Sequence, residues 1–395
     1  MPNFLAASMR LPAAGFRSLA SARASCSGVS ARSSLTLTVY RVKTKSSRVI
    51  IKVWNKRTTR KHLGSGTRRL RTMTLCLSEA DIRAVLPMPD LIRAMETALA
   101  AFSSGQVVQP VRPVVEMGEA AFFAAMPGFV RDPPVLGAKL VAVIGANQAR
   151  GLPTHRASVL LLDPETGAFM ALMDGRLITE MRTAAVSAVS AKYMARADTG
   201  VLAILGSGVQ ARSHLAALTL WRPFPEVRVW SPTPEHVRQF AAESPRPVRV
   251  CSTAAEAVRD ADIVVLATGS ATPVVDAGWV APGAHVVSVG ACRPNQREMD
   301  PALVARARVV VDSRASAFQE SGDIAMGLAE GRFTRSHIVG ELGEVISGSV
   351  PGRTSESEIT VFKSLGLAVE DLAAANLAYQ RARRQNRGVE IDLGG

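Results

Sequence analysis

Val201-Leu-Ala-Ile-Leu-Gly-Ser-Gly-Val-Gln-Ala211 is the stretch that decides the fold. Its first five residues are apolar and read as a buried strand, after which Gly206-x-Gly208-x-x-Ala211 turns the chain into a helix. Gly206 permits the tight turn, and Gly208 lets the backbone approach a pyrophosphate. Ala211 is small enough for helix and strand to pack, and the helix N-terminus offers free N–H groups to phosphates. The spacing gains its meaning from context: it follows a strand, opens a helix and starts a run of βα units. Strands are expected at 201–205, 227–230, 248–251, 263–268, 285–289 and 309–312, with helical segments between most of them. That alternation predicts a parallel, doubly wound Rossmann sheet. At the end of its second strand stands Trp230-Ser231-Pro232-Thr233. An acid at position 231 would point to NAD and a following Arg to NADP. Neither is present, and Ser231, Thr233 and His236 can serve either ribose.

Upstream the pattern differs. Ser78-Glu-Ala-Asp81 reads as a helix N-cap with acids in the first turn, and Asp90 as the cap of a second helix carrying Leu91, Met95, Leu99 and Phe102 at helical spacing. Strands are expected at 107–115, 120–125, 136–143, 159–162 and 168–173, the last two joined by the turn signal Asp163-Pro-Glu-Thr-Gly167. From Leu177 the chain becomes helical, and 179–191 is rich in Ala, Ser and Thr, which permits close backbone packing. Residues 355–385 read as one closing helical stretch ending in Arg381, Arg383 and Arg384. The fold class expected is α/β: an α+β substrate and dimerisation domain with a mainly antiparallel sheet over 73–195, a Rossmann domain over 196–354, and a C-terminal helix within 355–395 that returns to the first domain.

Charge divides the chain. The 395 residues hold 47 Lys plus Arg against 33 Asp plus Glu, a net of +14. Residues 1–72 contain 16 of those bases and no acid, leaving 31 bases and 33 acids for 73–395, a net of −2. A nucleic-acid partner could rest only on the head, which shows no recognised nucleic-acid motif, and none is expected. The head is read as lying outside the fold, with Met73 as the initiator. A cleaved presequence is the second reading, since an acid-free, Arg- and Ser-rich start resembles a transit peptide, and a nucleic-acid arm the third. The cytoplasm is the compartment expected, or the mitochondrial matrix if the presequence is real. Cys26, Cys76, Cys251 and Cys292 lack any metal-ligand or disulfide spacing, so no metal is expected. No apolar run is long enough for a membrane span.

Three bases in the first half stand among apolar or small residues: Arg112, Lys139 and Arg182. Arg suits a two-pronged carboxylate clamp, and Lys can orient or protonate a substrate nitrogen. Lys139 lies within an apolar strand, where a buried ammonium requires an anionic partner. His155, in Pro-Thr-His-Arg-Ala, reads as a satisfied structural histidine sooner than as a catalyst.

Those residues carry a likeness. The segments Val107-Val-Gln-Pro-Val-Arg112, Pro153-Thr-His-Arg-Ala-Ser-Val159 and Met173-Asp-Gly-x-x-Ile-Thr-x-x-Arg-Thr-Ala-Ala185 resemble the ornithine cyclodeaminase/mu-crystallin family. So do Leu205-Gly-Ser-Gly-Val-Gln-Ala211, Val289-Gly-Ala-Cys-Arg-Pro294, Glu320-Ser-Gly-Asp323, Gly340-Glu-Leu-Gly-Glu-Val345 and the run from Thr360 to Asp371, all in family order. The resemblance implies a homodimer binding a nicotinamide dinucleotide, NADH or NADPH, and a small cyclic imino acid or amino acid. It implies that Arg112, Lys139, Arg182, His155 and Cys292 face the substrate, with Lys139 and Arg182 catalytic. It places Gly206, Ser207, Gly208, Val209, Gln210, Ser231, Thr233, Thr268, Val289 and Ser364 near the dinucleotide.

The family's cyclodeaminases carry an Asp where this chain has Cys292, and its crystallin branch a Ser. Without that carboxylate, ammonia loss from ornithine is disfavoured, whereas reduction of a preformed imine needs no such base. The activity the resemblance implies is therefore NAD(P)H-dependent reduction of cyclic ketimines such as Δ1-pyrroline-2-carboxylate and Δ1-piperideine-2-carboxylate. Ornithine cyclodeaminase and alanine dehydrogenase are the alternatives within the enzyme class. A dinucleotide-dependent binder of small, thyroid-hormone-like ligands is the alternative outside it.

Overall fold

The computed structural model describes residues 39–43, 49–53, 73–118 and 120–393, and the chain forms two compact units, 1–69 and 70–395. In the first, β1 (Val39–Lys43) and β2 (Val49–Val53) pair antiparallel, Val39 opposite Val53. The remaining readings of the head fall outside the described residues.

The second unit begins with β3 (Met73–Leu77), α1 (Glu79–Val85) and α2 (Met88–Ser103). Ser78 and Asp81 close a reciprocal capping box on α1, as their spacing predicts. Asp90 is not the cap of α2. Pro87 precedes the helix and Asp90 sits in its first turn, ion-paired with Arg93 and Arg381. The expected strand over 107–115 is two short ones, β4 (Val107–Val108) and β5 (Val114–Gly118), because Pro110 and Pro113 interrupt the ladder. Then follow β6 (Ala121–Arg131), β7 (Pro134–Ile144), β8 (His155–Leu162), β9 (Phe169–Asp174) and α3 (Gly175–Met194).

The βα run supplies β10 (Val201–Leu205), α4 (Val209–Trp221), β11 (Glu226–Trp230), α5 (Pro234–Glu243), β12 (Arg249–Val250), α6 (Ala254–Val258), β13 (Ile263–Leu266) and β14 (His285–Ser288). After it come α7 (Pro301–Arg306), β15 (Arg308–Val311), α8 (Arg314–Glu320), α9 (Gly322–Ala329), β16 (Ile338–Glu341) and α10 (Leu342–Ile346). The chain closes with β17 (Thr360–Lys363), α11 (Ala368–Gln385) and β18 (Val389–Asp392). One eight-stranded sheet runs β12-β11-β10-β13-β14-β17-β15-β16, all parallel; the other runs β18-β3-β9-β8-β7-β6-β4, with β5 on β6, and is antiparallel except for β3 with β9.

The closing stretch corrects the expectation of a single helix from 355. Thr360–Lys363 is a wholly buried strand between β14 and β15, and the helix begins only at Ala368. A fully buried central strand shows no alternation, so four buried residues beside a helix carry no separating period.

Two packing features position the site. Helix α11 lies directly on β6 and β7: a Cβ on Gly137 would stand 2.2 Å from the Leu160 carbonyl oxygen and 2.8 Å from Leu372 Cδ2. Only glycine admits that approach, and Lys139, two residues on, shares its face. Helix α3 reaches the parallel sheet region through Ser187 and Ser190, whose hydroxyls bond His214 Nε2 (2.8 Å) and His285 Nε2 (3.1 Å). One hydrophobic core accordingly contains Val159 and Met173 together with Ile204, Val287 and Phe362.

Candidate active site

A cleft of about 500 Å³ opens between the two sheets. Strands β6 and β7 give it an apolar wall of Phe122, Ala124, Met126, Val141 and Val143, and Thr179, Arg182 and Thr183 face it from α3. The loops after β13, β14 and β17 form the opposite side with Thr268, Val289, Gly290, Cys292, Ser364, Leu365 and Gly366. Arg112, Lys139, Arg182, His155, Gln210 and Cys292 all line it, so residues up to 180 positions apart in sequence are brought together.

The anion that Lys139 requires is Asp371. Lys139 Nζ lies 2.7 Å from Asp371 Oδ2, while Arg182 Nε reaches Asp371 Oδ1 at 3.1 Å and its Nη1 reaches Glu370 Oε2 at 2.7 Å. All four side chains are buried. Burial drives the Lys139 ammonium down to about 8 against the attraction of Asp371. Burial works to raise Asp371, yet Arg182 and Lys139 together hold its carboxyl below the ordinary value. Glu370, with Arg182 as its cationic neighbour, is pushed up by burial to about 7. Arg182 is more firmly protonated than usual, since Asp371 and Glu370 outweigh its desolvation. Burial and then the charge of Lys139 hold His155 down to about 4, so it is a neutral imidazole at physiological pH.

Arg112 is tied differently. Its Nε pairs with Glu320 Oε1 at 2.7 Å, and its Nη2 donates to the carbonyls of Leu365 (2.8 Å) and Gly366 (3.2 Å). Asp312 Oδ2 accepts from the N–H groups of the same two residues, at 2.5 and 2.7 Å. The 364–366 loop is thus pinned from both sides. Gly366 has φ +81°, and a Cβ there would stand 2.4 Å from Arg182 Nη1. Among the described residues, Arg112 Nη1 and Arg182 Nη2 have no protein hydrogen-bond partner.

Cys292 is reached by solvent in the cleft, its Sγ 3.2 Å from the Val289 carbonyl, and desolvation pushes the thiol pKa up. Arg293 stacks over the Phe122 ring at 4.4 Å and pairs with Glu116 at 3.2 Å, joining the loop after β14 to the opposite sheet.

The dinucleotide motif sits at the carboxyl edge of β10. There the strand order reverses: β11 and β12 lie to one side of β10, and β13 onward to the other. Ligands of such sheets bind in the crevice at that switch point. Gly206 has φ +123° and its Cβ would meet the Ala267 carbonyl oxygen at 2.4 Å, whereas nothing lies within 4 Å of a Cβ on Gly208. Gly208 caps α4 without any side-chain bond, so the first N–H groups of Val209, Gln210 and Ala211 have no side-chain cap, and Gln210 Oε1 is buried without a partner. An open glycine cradle at an uncapped helix N-terminus fits a pyrophosphate.

Ser231 stands next to that cradle, its hydroxyl accepting from Ser207 Oγ at 3.0 Å. Thr233 occupies the N-cap position of α5 without making a side-chain cap bond, and His236 is exposed on that helix, so neither lines the cleft. Sequence reasoning did not select Glu370, Asp371, Glu320 or Asp312. The available signal was two adjacent acids inside the apolar run Leu365–Leu372, the mirror image of the lone base at Lys139.

Residues 72–386 match the sequence profile of the ornithine cyclodeaminase/mu-crystallin family. The ketimine reductase mu-crystallin of Rattus norvegicus is 45% identical over 293 residues, 73% of this chain and 91% of that protein. The Δ1-pyrroline-2-carboxylate reductase of Thermococcus litoralis, solved with NADH and L-proline, superposes with a TM-score of 0.79 at 37% identity, covering 80% of this chain and all of that one. An archaeal alanine dehydrogenase, solved as a dimer with bound NAD, gives 0.77 at 32% identity over 81% of this chain and 99% of the other. With the glycine cradle, the buried cation pair and these likenesses in agreement, the chain belongs to the ornithine cyclodeaminase/mu-crystallin family.

Proposed function

We propose that the chain is an NAD(P)H-dependent reductase of cyclic ketimines, taking Δ1-pyrroline-2-carboxylate or Δ1-piperideine-2-carboxylate to proline- or pipecolate-type amino acids. The observation that carries this reading is the buried Lys139–Asp371–Arg182 cluster, whose two cations line a cleft that Gln210, at the start of the cradle's helix, also lines. When bound, the reduced nicotinamide supplies the hydride. Arg182 and Arg112, each with one terminal nitrogen uncommitted, clamp the substrate carboxylate between them, each donating one charge-assisted hydrogen bond. Fixing the C=N carbon in this way is positional catalysis. Lys139 holds the ring nitrogen and delivers its proton, a task suited to an ammonium held at about 8. His155 and Cys292 face the substrate as neutral groups.

The cradle of Gly206, Ser207, Gly208, Val209 and Gln210, with Ser231, Thr233, His236, Thr268, Val289 and Ser364, receives the dinucleotide. Neither Ser231 nor Pro232 selects between its two forms. The division into 73–195, 196–354 and a returning C-terminal helix is part of the same proposal, with the helix starting at Ala368. So is a homodimer, supported by the dimeric alanine dehydrogenase relative and by the exposed apolar side chains of Val114, Val115 and Met117 along β5. Among the described residues no helix is long and apolar enough to cross a membrane. The free thiols of Cys76, Cys251 and Cys292 support a reducing compartment, the cytoplasm.

The test is a spectrophotometric matrix of the two imines against NADH and NADPH, with ornithine plus NAD or NADP run in parallel for ammonia release. Dinucleotide oxidation dependent on a cyclic imine is expected, with ornithine inert. Ammonia release from ornithine faster than imine reduction overturns the proposal, as does dinucleotide binding with no turnover of either imine.

A further inference from the structure

Behind the cleft lies a second buried polar cluster that the roles above leave unused. The Glu298 side chain is fully buried and accepts five hydrogen bonds. Its Oε1 receives the Thr268 N–H (2.7 Å) and hydroxyl (2.8 Å); its Oε2 receives the N–H groups of Gly290 (2.7 Å) and Ala291 (3.1 Å) and the Ser288 hydroxyl (3.1 Å). The backing is equally specific. Lys363 Nζ pairs with Asp323 at 3.0 Å and donates to Ser288 Oγ (3.0 Å) and the Ala291 carbonyl (2.7 Å). Asp323 Oδ1 in turn accepts from the Glu298 and Met299 N–H groups, at 2.9 and 3.0 Å.

One carboxylate therefore ties together the loops that follow β13 and β14. They are drawn so close that a Cβ on Gly290 would lie 1.9 Å from the Thr268 carbonyl oxygen and 2.5 Å from Glu298 Oε1. Both loops line the cleft, and the first abuts Gly206 through Ala267. Glu298 itself does not line the cleft, and it makes no contact with the 206–211 cradle among its hydrogen bonds.

We propose that Glu298, braced by Lys363 and Asp323, is a positioning residue for the nicotinamide half of the dinucleotide. It holds Thr268 and Gly290–Ala291 in place where their loops line the cleft, while the adenosine and pyrophosphate half depends on the cradle and on Ser231, Thr233 and His236. The inference rests on the reading of the cleft as a dinucleotide site. All five partners are donors, so the site calls for a side chain that accepts on both of its terminal atoms. In Glu298→Gln the amide nitrogen must face either the two Thr268 donors or the three donors on Oε2, leaving N–H groups without an acceptor.

The test separates the halves of the ligand on the full chain. Binding of NADH and NADPH is followed by fluorescence, and binding of ADP-ribose and 2′-phospho-ADP-ribose by calorimetry, for wild type and Glu298→Gln. Whole-dinucleotide binding should weaken by about tenfold or more, one unaccommodated hydrogen bond being of that order. The matching nucleotide fragment should bind as it does to wild type. Hydrogen exchange should accelerate at the Thr268, Gly290 and Ala291 amides. Equal weakening of fragment and dinucleotide, or unchanged dinucleotide binding, overturns the proposal. Failure of wild type to bind either dinucleotide instead refutes the underlying reading of the cleft. If Glu298→Gln does not fold, Ser288→Ala removes one donor to Oε2 together with one acceptor of Lys363, both within the brace, and should give a loss confined to the dinucleotide; no such loss also overturns the proposal.

Discussion

Replacing Asp371 by Asn removes one charge from a place where it faces two cations at once. The carboxylate is fully buried, 2.7 Å from Lys139 Nζ and 3.1 Å from Arg182 Nε. Asn is nearly isosteric, so no cavity forms. Its single oxygen can accept from Lys139 or from Arg182, and its amide nitrogen then points a donor at the other. Among the described residues, Glu370 is then the one carboxylate still paired with Arg182. Removing one partner of a buried ion pair costs about 3–5 kcal/mol. For a folded unit of this size that corresponds to a melting temperature lower by roughly 4–8 °C, at about 1.5 °C per kcal/mol.

The same substitution has a second, independent signature. In the role proposed above Lys139 would donate its proton from the ammonium form, so the rate should follow the protonated fraction: full at low pH and falling as pH rises past its pKa. In wild type that alkaline limb is expected near pH 8, where burial and Asp371 together set the group at about 8. Without Asp371, burial acts unopposed by its nearest anion, and the limb should move to lower pH by roughly 1–3 units. Differential scanning calorimetry reads the first effect, and kcat/KM for imine reduction between pH 5 and 10 reads the second. A variant as stable as wild type, with its alkaline limb unmoved, would refute both the pairing and the role given to Lys139.

At Gly366, whose φ is +81° and whose Cβ would fall 2.4 Å from Arg182 Nη1, an alanine must displace the guanidinium. Gly366→Ala should lower kcat/KM for the imine by about 100-fold, the order of loss for an ångström of misplacement, while dinucleotide titrations stay at the wild-type value. Cys292→Asp places a carboxylate where the thiol now meets Val289 O at 3.2 Å. It should raise KM for the anionic imine by repulsion and give measurable ammonia from ornithine; unchanged steady-state constants on both substrates would remove Cys292 from the substrate face. Arg293→Ala deletes the Phe122 and Glu116 contacts across the cleft. Stability should fall by no more than about 1 kcal/mol, as exposed pairs of these kinds contribute little. Stopped-flow dinucleotide release should nevertheless quicken several-fold, and an unchanged off-rate excludes a part for Arg293 in holding the cleft together.

The parallel sheet was legible because each of its signals is local. Gly206 is demanded by its φ of +123° and Gly208 opens α4 directly after it, β10 and β13 are wholly apolar runs, and β11 alternates its two buried valines with Glu226 and Arg228. The antiparallel sheet was legible in kind, through period-two alternation and the Asp163–Gly167 turn, whereas β3 and β18 escaped notice because they are short pieces from the two ends of the second unit, β18 at the sheet edge and β3 between it and β9. Strand β17 escaped for the opposite reason. Buried on both faces in mid-sheet, Thr-Val-Phe-Lys shows no alternation, and it lies too close to α11 for a boundary to register.

The bases of the site could be picked out as charges in apolar settings, but their partners could not be assigned, because burial of a charge is a local property and neutralisation is not. Lys139 states in the sequence that an anion must exist; it does not state that the anion lies 232 residues on, at Asp371. That distance is closed by Gly137, which admits α11 onto the strand face, so the glycine rather than either charge sets the pairing. The same logic applies to Lys363. Its position inside a wholly buried strand required acidic neighbours, and those neighbours, Asp323 and through it Glu298, bond the loops that line the cleft without lining it themselves. A lone base in an apolar strand is thus a better guide to where a site is supported than to which residue performs the chemistry. Both of these lysines obey the electrostatic rule equally, and only their exposure to the cleft, present at Lys139 and absent at Lys363, distinguishes their work.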